Sequence, residues 1–198
     1  MADKHLIAVT GDKGGVGKST LAALTAEWFL YHDKTVHVVD ADPNQTTKTW
    51  VDKCAELGRQ INVDSAEMTI VDTAGTSGSS LTQYIRKADL ILVPFKPHVA
   101  DLEVIVGWFL SLKDVLQERV LFIPNMLSRT KEQREGYQAL TDAVEEEGRG
   151  RIISGLVHRD AVYPPFLNGS TQNFFASKLD KKTRQEVESL FEEIAAEL

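Results

Sequence analysis

Short apolar runs alternate along this chain with longer stretches in which apolar residues recur every three or four positions. The runs His5–Thr10, Thr35–Val39, Met68–Val71, Leu90–Phe95, Val120–Pro124 and Arg151–Val157 are mostly continuous rather than alternating, as in strands covered on both faces. Between them the period becomes helical. Ser19–Tyr31 gathers Leu21, Leu24, Trp28 and Phe29 on one face, and Asp101–Gln117 gathers Leu102, Ile105, Phe109, Leu112 and Leu116 behind Asp101 as an N-cap. Lys131–Glu147 does the same with Tyr137, Leu140 and Val144, and Asp180–Leu198 with Val187, Leu190, Ile194 and Leu198. This alternation predicts an α/β fold, a doubly wound and mostly parallel sheet flanked by helices. No repeat, low-complexity stretch or Pro/Gly linker divides it. Residues 1–198 therefore read as one domain, with no separate N-terminal DNA-binding domain expected.

Composition narrows the function classes. With 42% hydrophobic and 26% charged residues, the chain has an ordinary globular make-up. Its 22 basic and 29 acidic residues give a net charge of −7, which excludes a uniformly basic nucleic-acid coat but leaves room for a local basic patch. The single cysteine, Cys54, excludes an internal disulfide, a CxxC metal or cluster site and a dithiol redox centre. No apolar run approaches the roughly 18 residues of a spanning helix. A cytoplasmic, reduced protein is expected.

In doubly wound sheets the chemistry lies in the loops beyond the carboxyl ends of the strands. The first such loop is Gly11-Asp12-Lys13-Gly14-Gly15-Val16-Gly17-Lys18-Ser19-Thr20. Glycines let backbone N–H groups turn inward around phosphate oxygens, and the following helix adds its N-terminal partial charge. Lys18 suits the β- and γ-phosphates, Ser19 a Mg²⁺ ion and Thr20 the α-phosphate.

The pattern G-x-x-x-x-G-K-[ST] fails at its first glycine, which is Asp12; K-G-G-x-G-K-[ST] fits instead, with Lys13 as a second lysine. This is the deviant Walker A motif, and the chain resembles the ParA/MinD family of P-loop ATPases. The resemblance implies ATP and Mg²⁺ as cofactors, nucleotide contacts from Lys13, Gly14, Gly15, Val16, Gly17, Lys18, Ser19 and Thr20, and an ATP-sandwich homodimer. In such a dimer Lys13 reaches the partner's nucleotide, as an arginine finger does in trans.

Two aspartate loops extend the likeness. Asp40-Ala41-Asp42-Pro43-Asn44-Gln45 resembles the D-x-D-P-Q segment of switch I, with Asn44-Gln45 where many relatives have Gln-Gly. It implies that Asp40 positions Mg²⁺ through water and that Asp42 orients or activates the attacking water. Met68-Thr69-Ile70-Val71-Asp72-Thr73-Ala74-Gly75 reads as a Walker B strand: Asp72 holds Mg²⁺ through water, and Thr73 and Gly75 belong to switch II. The interval from Asp42 to Asp72 is short for the family. Asn125, after the fifth strand, and Pro164, in the loop led by Arg159, resemble family positions near the adenine.

Absences sort the branches. With no cysteine pair, iron-protein and cluster-carrier relatives fail, and no tyrosine cluster ends the chain. Glu186, Glu188, Glu192, Glu193 and Glu197 crowd the polar face of the last helix, which disfavours a MinD-like anionic-membrane anchor. Lys178, Lys181, Lys182 and Arg184 form the candidate DNA-binding region. The expectation is a ParA-type ATPase that binds DNA without sequence preference in its ATP state, is nucleoid-associated there, and positions plasmid, chromosome or other cargo. A ParB-like or other adaptor protein would stimulate hydrolysis. A MinD-like membrane-recruited regulator, a conjugation-associated homologue and a dethiobiotin-synthetase-like ligase are the alternatives.

Overall fold

Continuous apolar strands need cover on both faces, and in the computed structural model of the chain they receive it. Residues 4–11, 13–74, 79–128, 130–157, 162, 163, 166 and 169–198 are described. Six strands form one sheet in the order β2-β3-β1-β4-β5-β6: β1 His5–Val9, β2 Val36–Ala41, β3 Met68–Thr73, β4 Leu90–Phe95, β5 Val120–Pro124 and β6 Arg151–Ile152. Every pairing is parallel. Among the described residues the named helices are α1 Lys18–Tyr31, α2 Thr46–Glu56, α3 Ser79–Lys87, α4 Val99–Ser111, α5 Asp114–Gln117, α6 Lys131–Glu147 and, last, α7 Lys181–Ala195. Successive strand residues point to opposite faces. Ile7, Val9, Leu92, Leu121 and Ile123 pack with α1, α2 and α7, while Ala8, Ile91, Val93, Val120 and Phe122 pack with α3, α4, α5 and α6.

Several elements differ from the sequence expectation. Helix α1 is buried from Leu21 to Phe29 on all sides, because the sheet, α2, α7 and the segment around Phe174 and Phe175 enclose it. The stretch expected as one helix to Gln117 breaks at Leu112 and Lys113, both extended. Asp101 is not its N-cap; His98 is, and Asp101 lies in the first turn. Tyr137 of α6 is 38% exposed and not part of the core. β6 is short, although Leu156 still bridges to Asn125. Helix α2 has no counterpart in the sequence expectation: it buries only Thr47, Trp50 and Cys54, and its N-cap residue Gln45, at φ 51°, does not cap it with its own side chain.

The acidic face of α7 is not simply solvated. Glu186 accepts from the Val157 N–H at 2.7 Å, Glu193 accepts from Ser154, and Glu197 pairs with Arg151. Glu186 and Glu193 thus serve backbone N–H groups beyond β6, which is too short to satisfy them by ladder bonds.

A buried ion pair fastens the C-terminal part of the chain to α1. Arg59 meets Glu27 through two bonds of 2.7 Å, and the Glu27 carboxylate also accepts from the Phe174 N–H at 3.2 Å. The Asn173 amide donates to the Glu27 carbonyl at 2.7 Å.

Candidate functional site

Strand register assembles the site. Val9, Asp72 and Asp40 are successive neighbours across β1, β3 and β2, so the phosphate-type loop, the Walker B aspartate and switch I meet at one edge of the sheet. The Thr73 hydroxyl donates to the Val9 carbonyl at 2.9 Å, which locks the ends of β3 and β1 together.

Gly15 and Gly17 take φ of 70° and 101°, a region costly for any residue with a Cβ. A Cβ on Gly17 would also lie 2.4 Å from the Asn125 amide nitrogen. Gly17 caps α1 without a side chain, so the amides of the first turn face the loop. Lys18 is buried, and its ammonium donates to the Lys13 carbonyl at 2.7 Å. A cation at a helix N-terminus opposes the helix dipole, a cost that an anion bound in the loop would offset.

Gly14, Gly15, Gly17, Lys18, Ser19, Thr20 and Asp42 line a cavity of about 470 Å³, within the size range of small-ligand sites. Ile123, Met126, Leu156, Val162 and Tyr163 make its other walls more apolar, as a nucleobase requires. Asn125 lines it too, but its amide is committed: Nδ2 donates to the Val16 carbonyl at 2.7 Å and Oδ1 accepts from the Met126 N–H at 2.8 Å. It straps the loop to β5. Met126, at φ 55°, follows in a strained turn that no sequence signal marked. Pro164 and Gly75 lie outside the described residues.

The Lys13 ammonium sits 2.8 Å from Asp101 of the same chain, in the first turn of α4. Asp40 uses both carboxylate oxygens on the backbone, accepting from the Asp42 and Lys48 N–H groups at 2.9 and 2.8 Å. It shapes switch I and starts α2. Asp42 accepts from the Asn44 N–H at 2.8 Å.

Asp72 is fully buried, and its Oδ1 is without a hydrogen-bond partner. Burial raises its pKa from 3.8 to about 6; hydrogen bonds from Thr47 and Ser19 oppose this, and the charges of Asp40 and Asp42 add to it. A divalent cation would relieve both the orphaned oxygen and the repulsion, so the residues fit Mg²⁺. Among the described residues no three acidic, histidine or cysteine side chains converge closely enough to cage a metal unaided. Mg²⁺ sites completed by phosphate and water have this form.

The sign of the shift gives a test. A folded-state pKa above the unfolded one means the native chain holds this proton more tightly. The cost of charging Asp72 is therefore absent below about pH 4, grows as pH rises through 6 and is complete above it. In chelator, Asp72→Asn is expected to stabilise the chain at pH 8 by on the order of 2–3 kcal/mol, with the gain vanishing near pH 4 in thermal melts. An equal difference at both pH values would refute the assignment.

Residues 7–165 match the CobQ/CobB/MinD/ParA nucleotide binding domain. The chain belongs to that family. It is 27% identical over 113 residues to Protein ParA of Rhizobium radiobacter, a match covering 48% of this chain and 50% of that protein. The chain spans about half the length of the curated relatives it matches. Its fold superposes on a plasmid partition protein from Borrelia burgdorferi B31 bound to AMPPNP (TM-score 0.70, 14% identity, 99% of this chain and 100% of that one). It also superposes on the septum site-determining protein MinD from Pyrococcus horikoshii OT3 complexed with Mg-ADP (TM-score 0.71, 14% identity, 96% of each chain). The fold is thus that of the ParA/MinD P-loop proteins.

Of the four basic residues singled out for DNA, Lys178, Lys181 and Lys182 are exposed around the start of α7. Arg184 is spent internally: it donates to the Phe175 and Ser177 carbonyls at 3.2 and 3.0 Å and pairs with Glu188 at 3.0 Å. Among the described residues no helix is long and apolar enough to cross a membrane.

Proposed function

We propose that this chain is an ATP-dependent, dimerising ATPase of the ParA type, active with Mg²⁺, that binds DNA without sequence preference in its ATP state and positions cargo. The observation that carries the reading is the meeting of the two-lysine loop with Asp40 and Asp72 at the ends of neighbouring strands, beside a cavity that the loop and Asp42 line. Lys18 and the first-turn amides of α1 hold the phosphates. Ser19 and Asp72 would hold Mg²⁺, with Asp40 supporting them through the loop it shapes. Mg²⁺ would supply charge neutralisation on the β- and γ-phosphates. Asp42, at the cavity wall, orients the attacking water. Lys13 completes the partner's site in the sandwich dimer.

Lys178, Lys181 and Lys182, doubled by dimerisation, form the DNA contact, and an adaptor of ParB-like role stimulates hydrolysis. The similarity to Protein ParA and to a plasmid partition protein supports segregation as the output.

The test is DNA binding by the purified protein with ATP, ADP or no nucleotide across a salt series. Tight, sequence-independent binding in ATP alone is expected, weakening steeply with salt because phosphate contacts release counterions. Joint replacement of the three lysines by glutamate should abolish it. Failure to bind DNA in any nucleotide state would move the output to a protein or membrane partner while leaving the ATPase assignment intact.

A further inference from the structure

Helix α2, invisible in the sequence pattern, carries a hydroxyl into the metal end of the site. Thr47, its second residue, is 1% exposed, and its Oγ1 donates to Asp72 Oδ2 at 2.5 Å. The same oxygen lies 3.5 Å from the Ser19 carbonyl, at the first turn of α1. The neighbouring N–H of Lys48 donates to Asp40. The first turn of α2 thus holds one aspartate by backbone and the other by side chain.

From this geometry we infer that Thr47 is a positioning residue for the Mg²⁺–nucleotide site, fixing the Asp72 carboxylate so that Oδ1 remains available to a metal-bound water. A carboxylate free to rotate about its last bond would present either oxygen, or neither, to that water. A donor on Oδ2, beside the Ser19 hydroxyl that also acts on this carboxylate, removes this freedom and leaves Oδ1 without a hydrogen-bond partner. Outer-shell partners act in this manner, by orienting a ligand rather than by touching the metal. Because Thr47 follows switch I by only a few residues, the docking of α2 and the orientation of Asp72 become one event. Any movement of switch I that lifts α2 would release Asp72 and weaken the hold on Mg²⁺.

The inference rests on the ATP–Mg²⁺ reading above, and its test separates the two. Binding of a non-hydrolysable fluorescent ATP analogue is titrated with Mg²⁺ for the intact chain, Thr47→Val and Thr47→Ser, and repeated in chelator. Thr47→Val is expected to raise the half-saturating Mg²⁺ concentration roughly tenfold, the low end for outer-shell partners, with analogue affinity in chelator unchanged. Thr47→Ser, which keeps the hydroxyl, should restore the Mg²⁺ response. If Thr47→Val does not fold, Thr47→Ala against Thr47→Ser makes the same comparison. An unshifted Mg²⁺ response in Thr47→Val, or equal losses with and without Mg²⁺, would overturn the assignment while leaving the ATPase reading standing. Absence of any Mg²⁺ effect in the unmodified chain would overturn both.

Discussion

Lys13→Ala is expected to keep ATP binding nearly intact, to abolish ATP-dependent dimerisation and to lower hydrolysis by at least ~10³-fold, the low end for a cation supplied in trans. Dimerisation is read by light scattering behind a sizing column. ATP binding survives because the service Lys13 renders its own loop is made by its backbone: the carbonyl takes the Lys18 ammonium. Truncating the side chain leaves that bond in place and removes only the cation. In the single chain that cation rests on Asp101, in a half-exposed pair. The pair must open before Lys13 can serve a partner's nucleotide. Pairs this exposed contribute up to ~1 kcal/mol each, and one opens in each of the two subunits, so Asp101→Asn should promote dimerisation by at most about thirtyfold. The two variants therefore move in opposite directions. Dimerisation of Lys13→Ala at the ATP concentration used by the unmodified chain would sink the trans role.

Glu27→Ala is the second change with a large expected effect, this time on stability. It strips Arg59, whose side chain is 12% exposed, of its bidentate partner and leaves the Phe174 N–H without its acceptor. Breaking a buried pair from one side costs about 3–5 kcal/mol, which for a chain of this size lowers the melting temperature by about 10 °C. The pair joins α1, which begins at the phosphate loop, to the segment that precedes α7. Loosening should therefore appear there first, as faster amide exchange around Phe174 and Phe175. Replacing both partners, Glu27→Gln with Arg59→Met, should recover most of the loss, since no charge is then left buried alone. A melting temperature unchanged in Glu27→Ala would show that the pair is not holding these segments together.

Much of this architecture was legible in the order of residues. Continuous apolar strands could only be buried on both faces, and the glycine and lysine spacing of the loop fits a strand-to-helix phosphate cradle. Leu90–Phe95, Val120–Pro124 and Lys131–Glu147 emerged with the bounds their patterns indicated. Boundaries failed where the deciding force was non-local. Helix α2 has just three buried side chains and is started by Asp40, which lies on the preceding strand and caps it by accepting from Lys48. The short β6 is completed by glutamates from α7, so its backbone needs no longer ladder.

The site divides along the same line. Sequence alone named the residues expected to bear the chemistry, because phosphate and Mg²⁺ recognition need particular donors at particular spacings along one loop. It could not show that Asn125 straps that loop, that Lys13 rests on Asp101, that Arg184 is turned inward, or that Thr47 bonds to Asp72. Each of these joins residues from different elements, and only parallel register and helix packing bring them within bonding distance. The burial that raises the Asp72 pKa to about 6 is likewise a property of the packed sheet. An aspartate at a strand end carries no sign of how far water will be kept from it.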